Sequence, residues 1–337
     1  MLIAGARLAS AGPLPALVPE IAAAVAKLDC SQLGADDVAQ VLSRVPAPRV
    51  IALHGSVPVV TMEPFADFLE AMGYPAERLV NPADGRRTRS SFVDSRRLAG
   101  HLAWHYEQDG MMPVLIGHSQ GGMVVIKLLH DMAGTRSDLA IPVWDPHRDA
   151  PETRTWVVEP ASGAQRQVRD LKVDYAAVLA TGSLPRLLLG QWGILPLLRD
   201  VPDAVADLTG FAIPWDAIAG TGPRPAPFHA TGTARVRNVV LPAHYSHVDL
   251  PRTAHLAAQP AVRAWIETYH PGSRPPSAPG SPAPDVEEAE RPSPGPELRE
   301  ADITNLLHAA DIWYSLKRNW CEAGKRLAGP PHNATAR

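Results

Sequence analysis

One run of residues constrains the whole chain. Pro113-Val114-Leu115-Ile116 is a short apolar stretch of the kind that forms a buried strand. It leads directly into Gly117-His118-Ser119-Gln120-Gly121-Gly122, after which Met123–Met132 reads as an apolar helix. A strand that becomes a helix over so few residues must bend sharply. Gly117 and Gly121 let the backbone close up while Ser119 projects from the turn. The first N–H groups of the following helix then point toward the group a serine there would attack. Gly-x-Ser-x-Gly alone is expected on the order of 0.1 times by chance in a chain of this size. Its place between strand and helix is what gives it weight.

The flanking sequence keeps the same rhythm. A helical region, Ile21 to Leu42, precedes a short apolar strand, Val50–Leu53. Amphipathic segments follow at Glu63–Met72 and Ser91–Glu107, with a weak strand at Arg78–Asn81 between them. Beyond the serine, strands are expected at Leu139–Trp144, within Phe211–Ala219 and within Val236–Leu241, and a helix over Ala257–Tyr269 closes the unit. Short apolar strands alternating with helices predict an α/β fold: a mostly parallel central sheet with helices on both faces.

Four regions follow from this reading. Residues 1–270 form the main domain, with an insert over about 146–208 whose Leu- and Trp-rich stretch Leu184–Leu198 suggests a cap over the carboxyl edge of the sheet. The insert also holds a candidate hairpin, Thr155–Val158 with Gln167–Val173. Residues 271–296 are Pro, Ser, Gly and acidic residues, too poor in apolar side chains to offset chain entropy, and read as a disordered linker. Residues 297–327 read as an amphipathic helix with Ile303, Leu306, Ala310, Trp313, Leu316 and Trp320 on one stripe, and 328–337 as a disordered tail. That apolar stripe needs a cover. Docking on its own domain is the plainest one; a partner, a dimer contact and a membrane surface are the alternatives.

Charge and cysteine content exclude some classes. A formal net charge of −3 gives no electrostatic case for nucleic acid. No run reaches the roughly 18 apolar residues of a spanning helix. Pro13, Pro15 and Pro19 interrupt any secretory signal near the N-terminus, so a cytoplasmic location is expected. The two cysteines, Cys30 and Cys321, have no metal-type spacing and are expected to be unpaired thiols. There is no phosphate-binding Gly-x-x-x-x-Gly-Lys-Ser/Thr loop and no His–Cys zinc cluster, and no cofactor is expected.

His54-Gly55 directly after the strand Val50–Leu53, together with the serine motif after the later strand, resembles the α/β-hydrolase superfamily in its lipase and esterase branch. The resemblance implies that His54-Gly55 opens an oxyanion loop. The donors would be the backbone N–H of Gln120 and one from Ser56 or Val57. It also implies a late histidine base. His247, in His-Val-Asp-Leu before the closing helix, fits that form better than His244. The acid departs from the family pattern, because Ala217–Pro225 carries no carboxylate where one is usual. Asp145, at the exit of the strand Leu139–Trp144, and Asp216, just before the usual place, are both candidates; Asp145 could equally cap a turn.

Taken together, these residues imply a serine hydrolase acting on a small apolar ester or lipid through an acyl-enzyme on Ser119. A catalytically impaired binding or scaffold protein, and an acyltransferase using the same serine, are the alternatives.

Overall fold

The computed structural model describes residues 17–57, 59–182, 192–273 and 303–329. Five strands form one parallel sheet: β1 (Val50–Leu53), β2 (Val114–His118), β3 (Val173–Leu179), β4 (Val205–Ala212) and β5 (Arg235–Val240). They lie side by side in chain order, β1-β2-β3-β4-β5. The register aligns Leu53, Gly117, Val178 and Gly210 in a row. The loops leaving these strands therefore emerge along one carboxyl edge.

That strand order decides where the helices go. Right-handed crossovers between parallel strands laid down in sequence put their helices on one face. α4 (Ser95–Asp109) and α5 (Gln120–Met132) occupy that face, packed on Ile51, Leu53, Leu115, Ala176 and Val178. The opposite face, with Val50, Ala52, Val114, Ile116, Ala177 and Leu179, needs other cover. α3 (Glu63–Ala71), α6 (Ala254–Ala258), α7 (Pro260–Glu267) and α8 (Leu306–Ala328) supply it. The N-terminal region forms two short helices rather than one, α1 (Pro19–Lys27) and α2 (Ala35–Gln40), separated by the segment that holds Cys30 and Gly34.

The C-terminal helix docks on its own domain. Trp313 and Trp320 are fully buried, and their indole N–H groups donate to Glu267 Oε2 and to the carbonyls of Val45 and Pro46. Asp311 is buried against the Arg237 guanidinium and the Tyr269 hydroxyl. Lys317 is buried on Glu267 Oε2 at 3.1 Å. Cys321 is disulfide-bonded to Cys30, which overturns the expectation of unpaired thiols. The two cysteines are 291 residues apart, so their spacing carried no signal; docking of α8 beside the N-terminal helices brings them together.

Three further expectations need correction. Leu139–Trp144 is not a sheet strand: Pro142 lacks the donor a central strand requires, and the neighbour of β2 is the uninterrupted Val173–Leu179. Only Trp144–Asp145 pairs, in a small antiparallel ladder with Ala150–Pro151. The weak strand at Arg78–Asn81 is a 3-10 turn, Ala76–Arg78, and the bridge beside β1 falls at Arg89 instead. The insert over 146–208 is not one body, because Val173–Leu179 and Val205–Leu208 belong to the central sheet. Its first part holds a hairpin, but the second strand is Gln165–Gln167 against Trp156–Val158; the expected Gln167–Val173 strand is instead a 3-10 turn, Val168–Asp170, leading into β3. This part lies against α4, where Arg154 pairs with Glu107, rather than over the sheet edge. Most of Leu184–Leu198, of the linker 271–296 and of the tail 328–337, and the first residues of the helix expected from 297, lie outside the described residues. Among the described residues, no helix is long and apolar enough to cross a membrane.

Candidate active site

Ser119 sits at the turn between β2 and α5 with φ 53° and ψ −117°, in the left-handed half of conformational space that L-residues seldom occupy. Backbone crowding holds it there. A Cβ on Gly117 would stand 2.5 Å from the carbonyl carbon of Gly121, and one on Gly121 would run into the carbonyl oxygen of Leu53. The Ser119 N–H donates to the Leu179 carbonyl at 2.8 Å, fixing the turn to the end of β3. As the residue preceding α5, Ser119 is next to first-turn N–H groups, including that of Gln120, which have no intrahelical acceptor.

His247 arrives from the loop after β5, on a single 3-10 turn, His247–Asp249. Its Nε2 stands 2.9 Å from Ser119 Oγ and its Nδ1 2.6 Å from Asp216 Oδ2. A carboxylate accepts, so Nδ1 carries the hydrogen. Nε2 then presents a lone pair to the serine hydroxyl. All three residues are buried. Burial alone would raise the Asp216 carboxyl. The hydrogen bond from His247, the Ala219 and Ile218 N–H groups and the nearby imidazole outweigh it and hold the carboxyl below the usual aspartate range.

Of the two acid candidates, the structure brings Asp216 to the histidine and leaves Asp145 elsewhere. β4 ends at Ala212, and Trp215, at φ 60°, bends the chain so that Asp216 turns inward. The Asp145 carboxylate accepts from the N–H groups of His147 and Arg148, capping a turn against α4. The physical reason is the strand assignment: with Leu139–Trp144 outside the central sheet, Asp145 is not at that sheet's carboxyl edge. His244 packs its ring on Tyr245.

The loop after β1 lies against the serine. A Cβ on Gly55 would come 3.0 Å from Ser119 Cβ. The Gly55 carbonyl accepts from His54 Nδ1 at 2.6 Å and from Ser91 Oγ at 3.0 Å. Because the peptide is planar and trans, pinning that carbonyl turns the Ser56 N–H to the opposite side. The Gln120 side chain reaches the Ser91 carbonyl at 3.5 Å, leaving its backbone as the part beside Ser119.

Two contributors carry no separate signal in the sequence. Thr181, past the end of β3, sends its hydroxyl to the Ser119 carbonyl. His118 is buried with its ring 5.1 Å from that of His247 and its Nε2 2.8 Å from the His247 carbonyl, to which it must donate. Burial first, and then the adjacent His247, push His118 down to about 3, so its ring is neutral at neutral pH. Its position inside the serine motif was visible, but nothing marked its partner.

Compared with family models, with curated proteins and with solved structures, the chain has no match in any of the three.

Proposed function

We propose that the protein is a serine hydrolase of the α/β-hydrolase, lipase/esterase type that cleaves carboxylic esters. The observation that carries this reading is the continuous hydrogen-bonded chain Ser119 Oγ, His247 Nε2, His247 Nδ1, Asp216 Oδ2. Ser119 attacks the ester carbonyl as Nε2 takes its proton. The tetrahedral oxyanion faces the Gln120 N–H at the start of α5 and the Ser56 or Val57 N–H after the pinned Gly55 carbonyl. His247 then returns the proton to the leaving alkoxide. A water, deprotonated by the same nitrogen, attacks the acyl carbon, and the acid leaves as the acyl–Oγ bond breaks and Ser119 Oγ takes that proton back from Nε2. Asp216 orients the imidazole and stabilises its cation without taking the proton.

An apolar ester suits the loops around the site. Val57 follows the oxyanion loop, Phe92 adjoins Ser91, and Trp215 and Ile218 flank Asp216; all four are exposed. A scaffold protein of this fold would lack a working acid and would offer the C-terminal helix to a partner. Asp216 against His247 and the cis docking of α8 both weigh against it. The Cys30–Cys321 disulfide favours an oxidising compartment over the cytoplasm expected from the sequence.

The test is reaction with a fluorophosphonate probe followed by peptide mapping, alongside turnover of p-nitrophenyl butyrate. Label at Ser119 and turnover abolished in Ser119→Ala are expected. Folded protein that takes no label at Ser119 overturns the proposal.

A further inference from the structure

The loop that carries His247 belongs to no strand. β5 ends at Val240, and the chain from Pro242 to Thr253 makes only isolated turns. Its backbone carbonyls have no ladder partners, so what fixes them fixes the base. Local turns hold some of them, the Arg252 N–H donating to the Asp249 carbonyl at 2.8 Å, and side chains from elsewhere add the remaining ties. The His247 carbonyl is held by His118. The next three ties come from the start of α8. Asn305 Nδ2 donates to the carbonyls of Asp249 at 2.7 Å and Arg252 at 3.1 Å, and His308 Nε2 donates to the carbonyl of Leu250 at 2.8 Å. The Tyr245 side chain in turn faces the backbone N–H groups of Leu307, Leu306 and Asn305 at that helix end, and its ring packs on His308 with centroids 6.1 Å apart.

The local chemistry suits this task. Asn305 takes φ 69°, a left-handed conformation that asparagine tolerates, and this aims its amide back at the loop. It is 1% exposed and His308 is fully buried. Both are spent on carbonyls of one loop rather than on their own helix.

We infer that Asn305 and His308 are positioning residues for His247, so that the C-terminal helix, stapled through Cys321 to Cys30, is a working part of the catalytic centre rather than a passive cover. The inference rests on the serine-hydrolase reading above. A helix that only covered the sheet would need its apolar stripe, not two polar side chains on the histidine loop. Small displacements of a reacting group cost up to about a hundredfold in rate, which sets the scale of the effect.

The experiment uses the full chain, with p-nitrophenyl butyrate kinetics, active-site titration by a fluorophosphonate, circular dichroism and thermal melts. Asn305→Ala, Asn305→Gly and His308→Leu each remove the donors; Asn305→Gly does so at a left-handed position that glycine adopts without strain, keeping the test open if the alanine variant does not fold. Folded variants are expected to lose about 10- to 100-fold in kcat per titrated site, with KM within about twofold. His308→Gln, which restores an N–H donor, is expected to recover kcat to within about threefold of the parent. Variants that lower the melting temperature but keep kcat per titrated site overturn the inference. So does His308→Gln behaving like His308→Leu. A parent protein with no Ser119-dependent turnover overturns the underlying reading instead.

Discussion

His247 Nδ1 stands 2.6 Å from Asp216 Oδ2, and this contact selects one carboxylate from the two that the sequence offered. It also fixes the imidazole tautomer, since only an Nδ1–H can face a carboxylate whose other oxygen already accepts from Ile218 and Ala219.

Asp216→Asn is therefore expected to lower kcat by about 10³–10⁴ with little change in KM, because the amide no longer enforces the tautomer that leaves Nε2 free. Asp145→Asn is expected to stay within about twofold of the parent, since Asp145 caps a turn. Steady-state kinetics on an ester substrate read both. Equal losses in the two variants would reject the assignment of the acid.

The staple makes a separate prediction. The Cys30–Cys321 bond ties α8 to the N-terminal segment across nearly the whole chain. Removing it relaxes mainly the unfolded state, at a cost of about 2–5 kcal/mol. Thermal melts with and without a reductant should show a fall of several degrees for the parent. The double variant Cys30→Ser/Cys321→Ser should melt near the reduced value and ignore the reductant. A parent indifferent to reduction would remove the disulfide from the account.

How much of this was legible differs from residue to residue, for physical reasons. The serine turn was readable because glycine is sterically compelled there: any side chain on Gly121 would meet the Leu53 carbonyl. His247 was readable from its place before the closing helices. Asp216 was legible only as one of two candidates, because the choice over Asp145 depends on where β4 stops and on the bend at Trp215, neither of which a residue pattern encodes. Leu139–Trp144 misled because its apolar content outweighed Pro142 in the reading, whereas in the sheet the missing N–H decides. The covered face of α8 was visible as a stripe, but its disulfide and its ties to the histidine loop were not. A spacing of 291 residues says nothing of contact, and hydrogen bonds to backbone carbonyls leave no trace in the residues that accept them.

The buried charge pair under α8 predicts a non-additive pattern. Lys317 Nζ lies 3.1 Å from Glu267 Oε2 and also donates to the carbonyls of Leu33 and Glu267. Burial pulls the Lys317 ammonium below its usual value, and Glu267 acts against that pull. Lys317→Met alone strands a buried carboxylate and should cost about 3–5 kcal/mol, whereas Lys317→Met/Glu267→Gln should recover the part due to the stranded charge, the Leu33 and Glu267 carbonyls staying unpaired in both. Urea unfolding of the single and double variants gives the coupling energy. Additive losses would mean that the two groups do not sense one another.

Acid stability follows from the buried histidines. Burial, the largest cause in each case, pushes His101 and His118 down to about 3 and His308 down to about 4, so all three are neutral in the folded protein. In the unfolded chain they bind protons near pH 6.5. The folded pKa values are depressed below the unfolded ones, so as pH falls through about 6.5 the unfolded state takes up protons that the folded state refuses. Stability is lost from there downward, until the folded values near 3–4 are reached. Each histidine contributes at most about 1.4 kcal/mol per pH unit within that window. Asp216, whose carboxyl is depressed, adds a further loss only at more acidic pH, through and below the normal aspartate range. Urea unfolding at pH 7, 6 and 5 should therefore show a steepening decline well above the carboxylate range, and His308→Gln should reduce its slope by the equivalent of about one proton. Stability that stays level from pH 7 to pH 5 would mean that these rings are protonated, or exposed, in the folded state.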